Sequence, residues 1–296
     1  MTRIYLHADD FGICDEQVDV LTGLCAKGYL SSVSAFASDA RLREHLRRLL
    51  ENAPETRIAV HLNYVEGPSI LGHDALPLLT DERGFFRRGY FTLLLMSFRP
   101  LRKALEDEVE RETIAQIGRV RALLPAGKKI ALDTHQHTIA IPAVRNGILR
   151  ALQKEPEMRE IRVPDERLWT YRGAEKILRS VPAANFAKLA LIRALTSGLP
   201  EKLRASGYSV ADFAGVLMTD GVSAGSVVSV LPAIRKYADA TGRPFEMLFH
   251  PARVPSKELC PDPENLPFVH FNTSPRRDED RRIVEAVGKA LRTDED

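Results

Sequence analysis

The chain has 296 residues, 44% apolar and 28% charged, a composition that supports a folded core and argues against disorder. Lys and Arg total 42 against 40 Asp and Glu, so the net charge of +2 gives no global basis for nucleic-acid binding. Cys14, Cys25 and Cys260 are widely spread with no CxxC pair, which indicates neither a disulfide framework nor a thiolate metal site and predicts a reducing, cytoplasmic setting.

Acidic Asp9 and Asp10 arrive before any apolar signal core could form, so no secretion signal is expected. The longest apolar run, 90–98, is far short of the roughly 20 residues that span a bilayer. At most a peripheral membrane contact is predicted.

There is no internal repeat. Short β-like runs at 4–7, 31–37, 58–62, 130–133, 160–163, 213–218, 245–249 and 268–271 alternate with amphipathic stretches at 16–27, 41–51, 103–124, 141–154 and 226–241. This alternation predicts an α/β fold with a parallel sheet covered by helices and closed into a barrel, an open doubly wound sheet being the alternative. Two excursions, 66–100 and 165–209, interrupt it, and such long insertions usually hang over a site. Residues 276–291 read as a final surface helix, with the tail after it expected to fray.

Reactive side chains sit where the strands end. Asp9 and Asp10 follow the first run, His61 the third, Asp133 and His135 the fourth, and His250 the seventh, while Arg162 lies in the fifth. In a parallel barrel these ends converge on one face, so residues more than 200 positions apart would meet in one pocket. Singly, each has a plainer explanation: an Asp pair after a strand can cap a helix, and a lone His is usually a hydrogen-bonded structural residue. His135-Gln136-His137 would put both imidazoles on one face of an extended chain. Jointly, one carboxylate and two imidazoles from three strands make a divalent metal site with room for water. The same ligand set serves non-haem iron oxygenases, but their antiparallel scaffolds do not match this alternation. No P-loop glycine motif is present to suggest phosphoryl transfer.

His-Ala-Asp-Asp-Phe-Gly-Ile (7–13), Val-His-Leu-Asn-Tyr-Val-Glu-Gly-Pro (60–68), Leu-Asp-Thr-His-Gln-His (132–137), Ile-Arg-Val-Pro (161–164) and Glu-Met-Leu-Phe-His-Pro (246–251) together resemble the YdjC-like carbohydrate deacetylases. That group includes chitooligosaccharide deacetylase and the hopanoid-associated HpnK proteins. The resemblance implies a distorted (β/α) TIM-like barrel related to polysaccharide deacetylases, here one catalytic domain over 1–296 with the two excursions inserted, and a homodimer. It implies removal of acetyl groups from N-acetylated sugars, free or lipid-linked, with one divalent ion, Zn²⁺ or Mg²⁺. The donor set by itself suits Zn²⁺ and other first-row divalent ions. Carried over residue by residue, it implies Asp10, His61 and His135 as metal ligands, Asp9 as catalytic base and His250 as the acid assisting amine departure. Arg162 is implied to orient Asp9 or substrate.

Asn63 is a further candidate for substrate contact, the alternative being that it satisfies backbone. His137 is expected to buttress His135 or the pocket wall, and Glu246 to pair with a barrel arginine. His7, Ile139 and Ala252 depart from the residues usual in the family, which leaves the sugar open. Hydrolysis of another amide, or a metal-stapled sugar-binding protein without turnover, are the alternative functions. Residues 87–103 combine Phe91, Leu93, Leu94, Leu95, Met96 and Phe98 with Arg87, Arg88, Arg99, Arg102 and Lys103. This stretch reads either as a core or dimer-contact segment with a basic edge or as a patch for a membrane-proximal glycan.

Overall fold

The protein is described from a computed structural model covering residues 3–293; the tail residues 294–296, expected to fray, lie outside it. Seven strands form one parallel sheet: β1 (Ile4–Phe11), β2 (Ser32–Phe36), β3 (Arg57–Leu62), β4 (Ile130–Thr134), β5 (Glu160–Ile161), β6 (Asp212–Ala214) and β7 (Phe245–Phe249). Their order is β5-β4-β3-β2-β1-β7-β6, with helices in the connections.

The two edges nearly meet. The Ile161 amide donates to the Ser209 carbonyl at 3.0 Å and the Ser209 amide to the Arg159 carbonyl at 2.7 Å, while β6, three residues on, pairs with β7. Residues 209–214 thus stitch both edges, and the sheet curls toward the barrel that the alternation predicts, in the distorted TIM-like form that the family resemblance implies.

Period-two side-chain alternation sorts the strands into two faces. Leu6, Ala8, Val33, Ala35, Ile58, Val60, Leu62, Leu132, Met247 and Phe249 join the main apolar core. The intervening positions, His7, Asp9, Ser32, Ser34, His61, Asp133 and Glu246, are polar, buried and bonded to one another. Barrels of this kind usually fill their interior with Val, Ile and Leu; this one fills it with charge.

The run 160–163 keeps only Glu160–Ile161 as strand, and three other elements differ from the sequence expectation, each for a local reason. The run 213–218 keeps only Asp212–Ala214 as strand, because the Glu166 carboxylate accepts from the amides of Gly215, Val216 and Leu217 at 3.2, 2.7 and 3.1 Å and removes them from the ladder. Residues 268–271 are helical, within Leu266–Thr273, which starts with Asn265 accepting from the Phe268 amide and with a proline in its first turn; a four-residue apolar run cannot distinguish strand from buried helix. The stretch 226–241 is two helices, Ala224–Val228 and Leu231–Thr241, since Pro232 cannot donate an amide bond back across the junction.

His45, on helix Leu42–Asn52, clamps the start of helix Asp15–Ala26 to the loop after β2. Its Nδ1 lies 2.6 Å from Asp39 and its Nε2 2.7 Å from Asp15. Burial disfavours its charged form, but these carboxylates outweigh burial and raise its pKa above 6.5. The clamp's stabilisation is therefore complete below about pH 6.5 and is lost as pH rises through the raised value. The gap in melting temperature between the parent and His45→Gln should be widest in mild acid and close toward alkaline pH. A gap constant from about pH 5 to 9 would exclude a charged clamp.

Candidate metal centre

A regular strand would send neighbours Asp9 and Asp10 to opposite faces. The β1–β2 register instead shifts between Ala8 and Phe11, and Asp10 adopts φ +65°, a bulge that re-aims both carboxylates into the barrel mouth. Gln17 holds this strained turn, donating to the Asp10 carbonyl at 2.6 Å and accepting from the amides of Gly12 and Ile13, each at 3.2 Å.

Asp10 Oδ1 lies 3.1 Å from His61 Nε2 and 3.0 Å from His135 Nδ1, and those two nitrogens are 3.2 Å apart. Ligand atoms about 2.0–2.2 Å from one ion stand at about this separation. Asp10 Oδ2 accepts no hydrogen bond and Oδ1 meets only the two imidazole nitrogens, although both are buried, an expensive arrangement for a carboxylate unless a cation completes it. The outer nitrogens are committed: His61 Nδ1 lies 2.5 Å from Asp133 and 2.8 Å from Ser34 Oγ, and His135 Nε2 lies 2.5 Å from Glu66. With neutral rings these carboxylates hold the outer protons and turn the inner lone pairs toward a common point, the tautomers a metal needs. Phe36 packs edge-on against both rings, at 4.9 and 5.2 Å.

Without a cation the same site holds protons. Burial would lower the His61 pKa, but Asp9, Asp133 and Asp10 raise it to about 9. Burial likewise opposes charging of His135, and Asp10 with Glu66 raises it to about 10. Metal binding would displace those protons.

A second buried group, His7, Asp9 and Asp133, already has its cation. Arg162 donates to both Asp9 oxygens at 2.8 and 2.9 Å, lies 3.0 Å from Asp133, and donates through Nε to Glu246. His7 Nε2 adds contacts of 3.1 and 3.3 Å to Asp9 and Asp133. Burial pushes the Asp9 pKa up, but Arg162, with His61 and His7, holds it well below the usual carboxylate range. The adjacent aspartates thus divide: Asp10 faces the imidazoles, Asp9 the guanidinium.

The cluster floors a cavity of about 250 Å³ whose walls include Asp9, Glu66, His135, His137, Lys188, His250, Phe268 and Phe271. His250 Nε2 is 3.9 Å from Asp10 Oδ2. Burial, reinforced by Arg277 against the pull of Asp10, pushes its pKa down to about 4, so the ring is neutral at rest rather than the resting imidazolium that an acid role suggests.

A model of the YdjC-like protein family matches residues 3–286. The chain belongs to the YdjC-like family. Among solved structures, this YdjC-like chain is similar to an Enterococcus faecalis protein described as a candidate for cellobiose-phosphate cleavage, at 17% identity and TM-score 0.63, covering 98% of this chain and 95% of that one. It is also similar to an uncharacterized Agrobacterium tumefaciens protein, at 11% identity and TM-score 0.47, covering 99% and 83%. At 17% identity the likeness to the Enterococcus faecalis protein is one of fold alone. No curated protein matches the sequence.

Of the expected site residues of this YdjC-like chain, Asp9, Asp10, His61, His135, Arg162 and His250 come together around the barrel mouth. Asn63 does not reach the cavity: its Oδ1 accepts from the amides of Val65 and Glu66 at 3.1 and 3.2 Å, and its Nδ2 donates to the Glu66 carbonyl. It shapes the turn that delivers Glu66. The 135–137 segment is not extended but a tight turn with Gln136 and His137 at φ +51° and +57°, and His137 forms cavity wall against Phe213. Glu246 pairs with Arg162 and with Arg57, the latter at 3.1 Å. Sequence reasoning missed Glu66, Asp133, Ser34 and Phe36 as supports of the imidazoles. Glu66 and Asp133 stood inside the quoted motifs, and Ser34 and Phe36 carried no chemical signal.

Arg162→Met should leave Asp9, Asp133 and Glu246 buried around an apolar side chain. Stability is expected to fall by about 3–5 kcal/mol, read by urea unfolding, and a loss below 1 kcal/mol would show that the carboxylates find other partners.

Proposed function

We propose that this YdjC-like protein is a metal-dependent hydrolase that removes the acetyl group from an N-acetylated sugar, releasing acetate and the free amine. The observation that carries the reading is the triangle of Asp10, His61 and His135 atoms, 3.0–3.2 Å on a side, flanked by Asp9 and His250, which the triangle itself does not use. Asp10, His61 and His135 would hold the ion; two imidazoles and a carboxylate suit Zn²⁺ and other first-row divalent ions better than Mg²⁺. A bound divalent cation would supply Lewis acidity, polarising the acetyl carbonyl and making water more acidic.

The chain's own residues supply the proton traffic. Asp9, kept ionised and oriented by Arg162, takes the proton of the attacking water. His250 starts neutral, takes a proton from solvent as negative charge develops beside it, and gives that proton to the nitrogen as the C–N bond breaks; the proton held by Asp9 returns to solvent once acetate leaves. The hydrophobic edge from Phe268 and Phe271 excludes bulk water from the acetyl end. A sugar-binding protein without turnover would need the ligands but not this second pair of groups.

Metal-reconstituted protein should release acetate from mono-, oligo- or lipid-linked N-acetylhexosamines. Asp9→Asn is expected to keep its metal and lose about 10²- to 10⁴-fold in turnover, whereas His135→Ala should lose the metal itself, read by elemental analysis. An Asp9→Asn protein as active as the parent would remove Asp9 from the base role. Full metal occupancy with no acetate from any of these sugars would overturn the proposal.

A further inference from the structure

Helix Tyr90–Met96 buries only Leu93. Phe91, Leu95, Phe98 and Leu101 are 73, 55, 68 and 51% exposed, an unusual density of bare large apolar side chains on one short segment. Phe91, Leu95 and Phe98 recur at intervals of four and three, so they share one side of the helix and its closing turn. The patch is firmly seated: Ser97 Oγ accepts from the Ala143 amide at 3.1 Å and donates to the Leu93 carbonyl at 3.0 Å. Ala143 lies in the first turn of helix Pro142–Lys154, directly after the turn carrying His135. The exposed patch and the cavity therefore lie at the same, carboxyl end of the strands. Phe186, 38% exposed, sits on helix Ala183–Leu195, whose Lys188 lines that cavity.

Charge decides what this face suits. From 83 to 105 the chain has six cations, Arg83, Arg87, Arg88, Arg99, Arg102 and Lys103, and no Asp or Glu. Arg88, Arg99 and Lys103 are exposed and form no ion pair among the described residues. A two-fold contact through this face would set cations against their own copies. An anionic lipid surface offers the opposite: headgroups for Arg88, Arg99 and Lys103, and an acyl boundary for Phe91, Leu95 and Phe98. No helix among the described residues is long and apolar enough to cross a membrane, so any such contact is peripheral.

We propose that the 91–103 face docks this protein onto anionic lipid bilayers, with Phe91, Leu95 and Phe98 entering the interface and Arg88, Arg99 and Lys103 on the headgroups. This is independent of the hydrolase reading, because binding is measured without substrate or turnover. The full-length protein should co-sediment with phosphatidylglycerol-containing vesicles at low salt and be released from them by about 0.5 M salt, roughly the condition that shortens the screening length to a few ångström. It should ignore pure phosphatidylcholine vesicles. Arg99→Gln with Lys103→Gln should weaken binding about thirtyfold. Phe91→Ser with Phe98→Ser should abolish binding while leaving the circular dichroism spectrum and metal content unchanged, since both side chains are exposed. Absence of binding to the anionic vesicles overturns the proposal. So does a dimer of the parent, seen by sedimentation, that Phe91→Ser with Phe98→Ser dissociates, because the face would then be covered by a second copy.

Discussion

Three buried carboxylates, Asp9, Asp133 and Glu246, converge on the guanidinium of Arg162, and the rest of the site is built outward from that contact. A barrel interior lined by acids at alternate strand positions would not close without a cation among them, because unpaired buried charge costs several kcal/mol per ion. Arginine fits because its planar fork serves several acceptors at once and stays charged. Arg57 adds a second cation, reaching Glu246 at 3.1 Å and Ser32 at 3.1 Å, and His7 fills the remaining gap. The polar interior is thereby neutralised chiefly by cations below the mouth, with His61 contributing only its outer nitrogen, to Asp133.

That division leaves the mouth free for an ion. Asp133 serves both regions, one oxygen toward Arg162 and the other toward His61 Nδ1. It ties the tautomer of His61 to the ion-pair network below. Glu66 plays the matching part for His135 from the opposite side, and it is delivered by the Asn63 turn rather than by a strand. The excursions, then, complete the site: 66–100 brings Glu66 and 165–209 brings Lys188. Glu166, accepting three backbone amides at once, fastens the second excursion to the chain after β6.

Much of the fold was legible because strands and helices leave different periods in the sequence. The runs that became β1 to β5 and β7 stood out, as did the helices between them. The failures came where a partner distant in sequence overrode a local pattern. Val216 and Leu217 look like strand until Glu166, some fifty residues earlier, takes their amides. Phe268 to Phe271 has too few residues to reveal its period, and its helix is specified by the Asn265 cap and a neighbouring proline.

The order of residue types along the chain was enough to show that acids and imidazoles cluster at strand ends, and that such a set suits a divalent ion. Residue types alone could not say which of the two adjacent aspartates faces the imidazoles, because Asp9 and Asp10 are chemically the same and differ by one position; only the family resemblance pointed to Asp10. A bulge and a positive φ at Asp10 made that choice, sending one carboxylate to Arg162, 153 residues away, and leaving the other bare among two histidines. Composition and periodicity report what each residue can do. Only the curled sheet, by fixing register and direction, decides which partner each one meets.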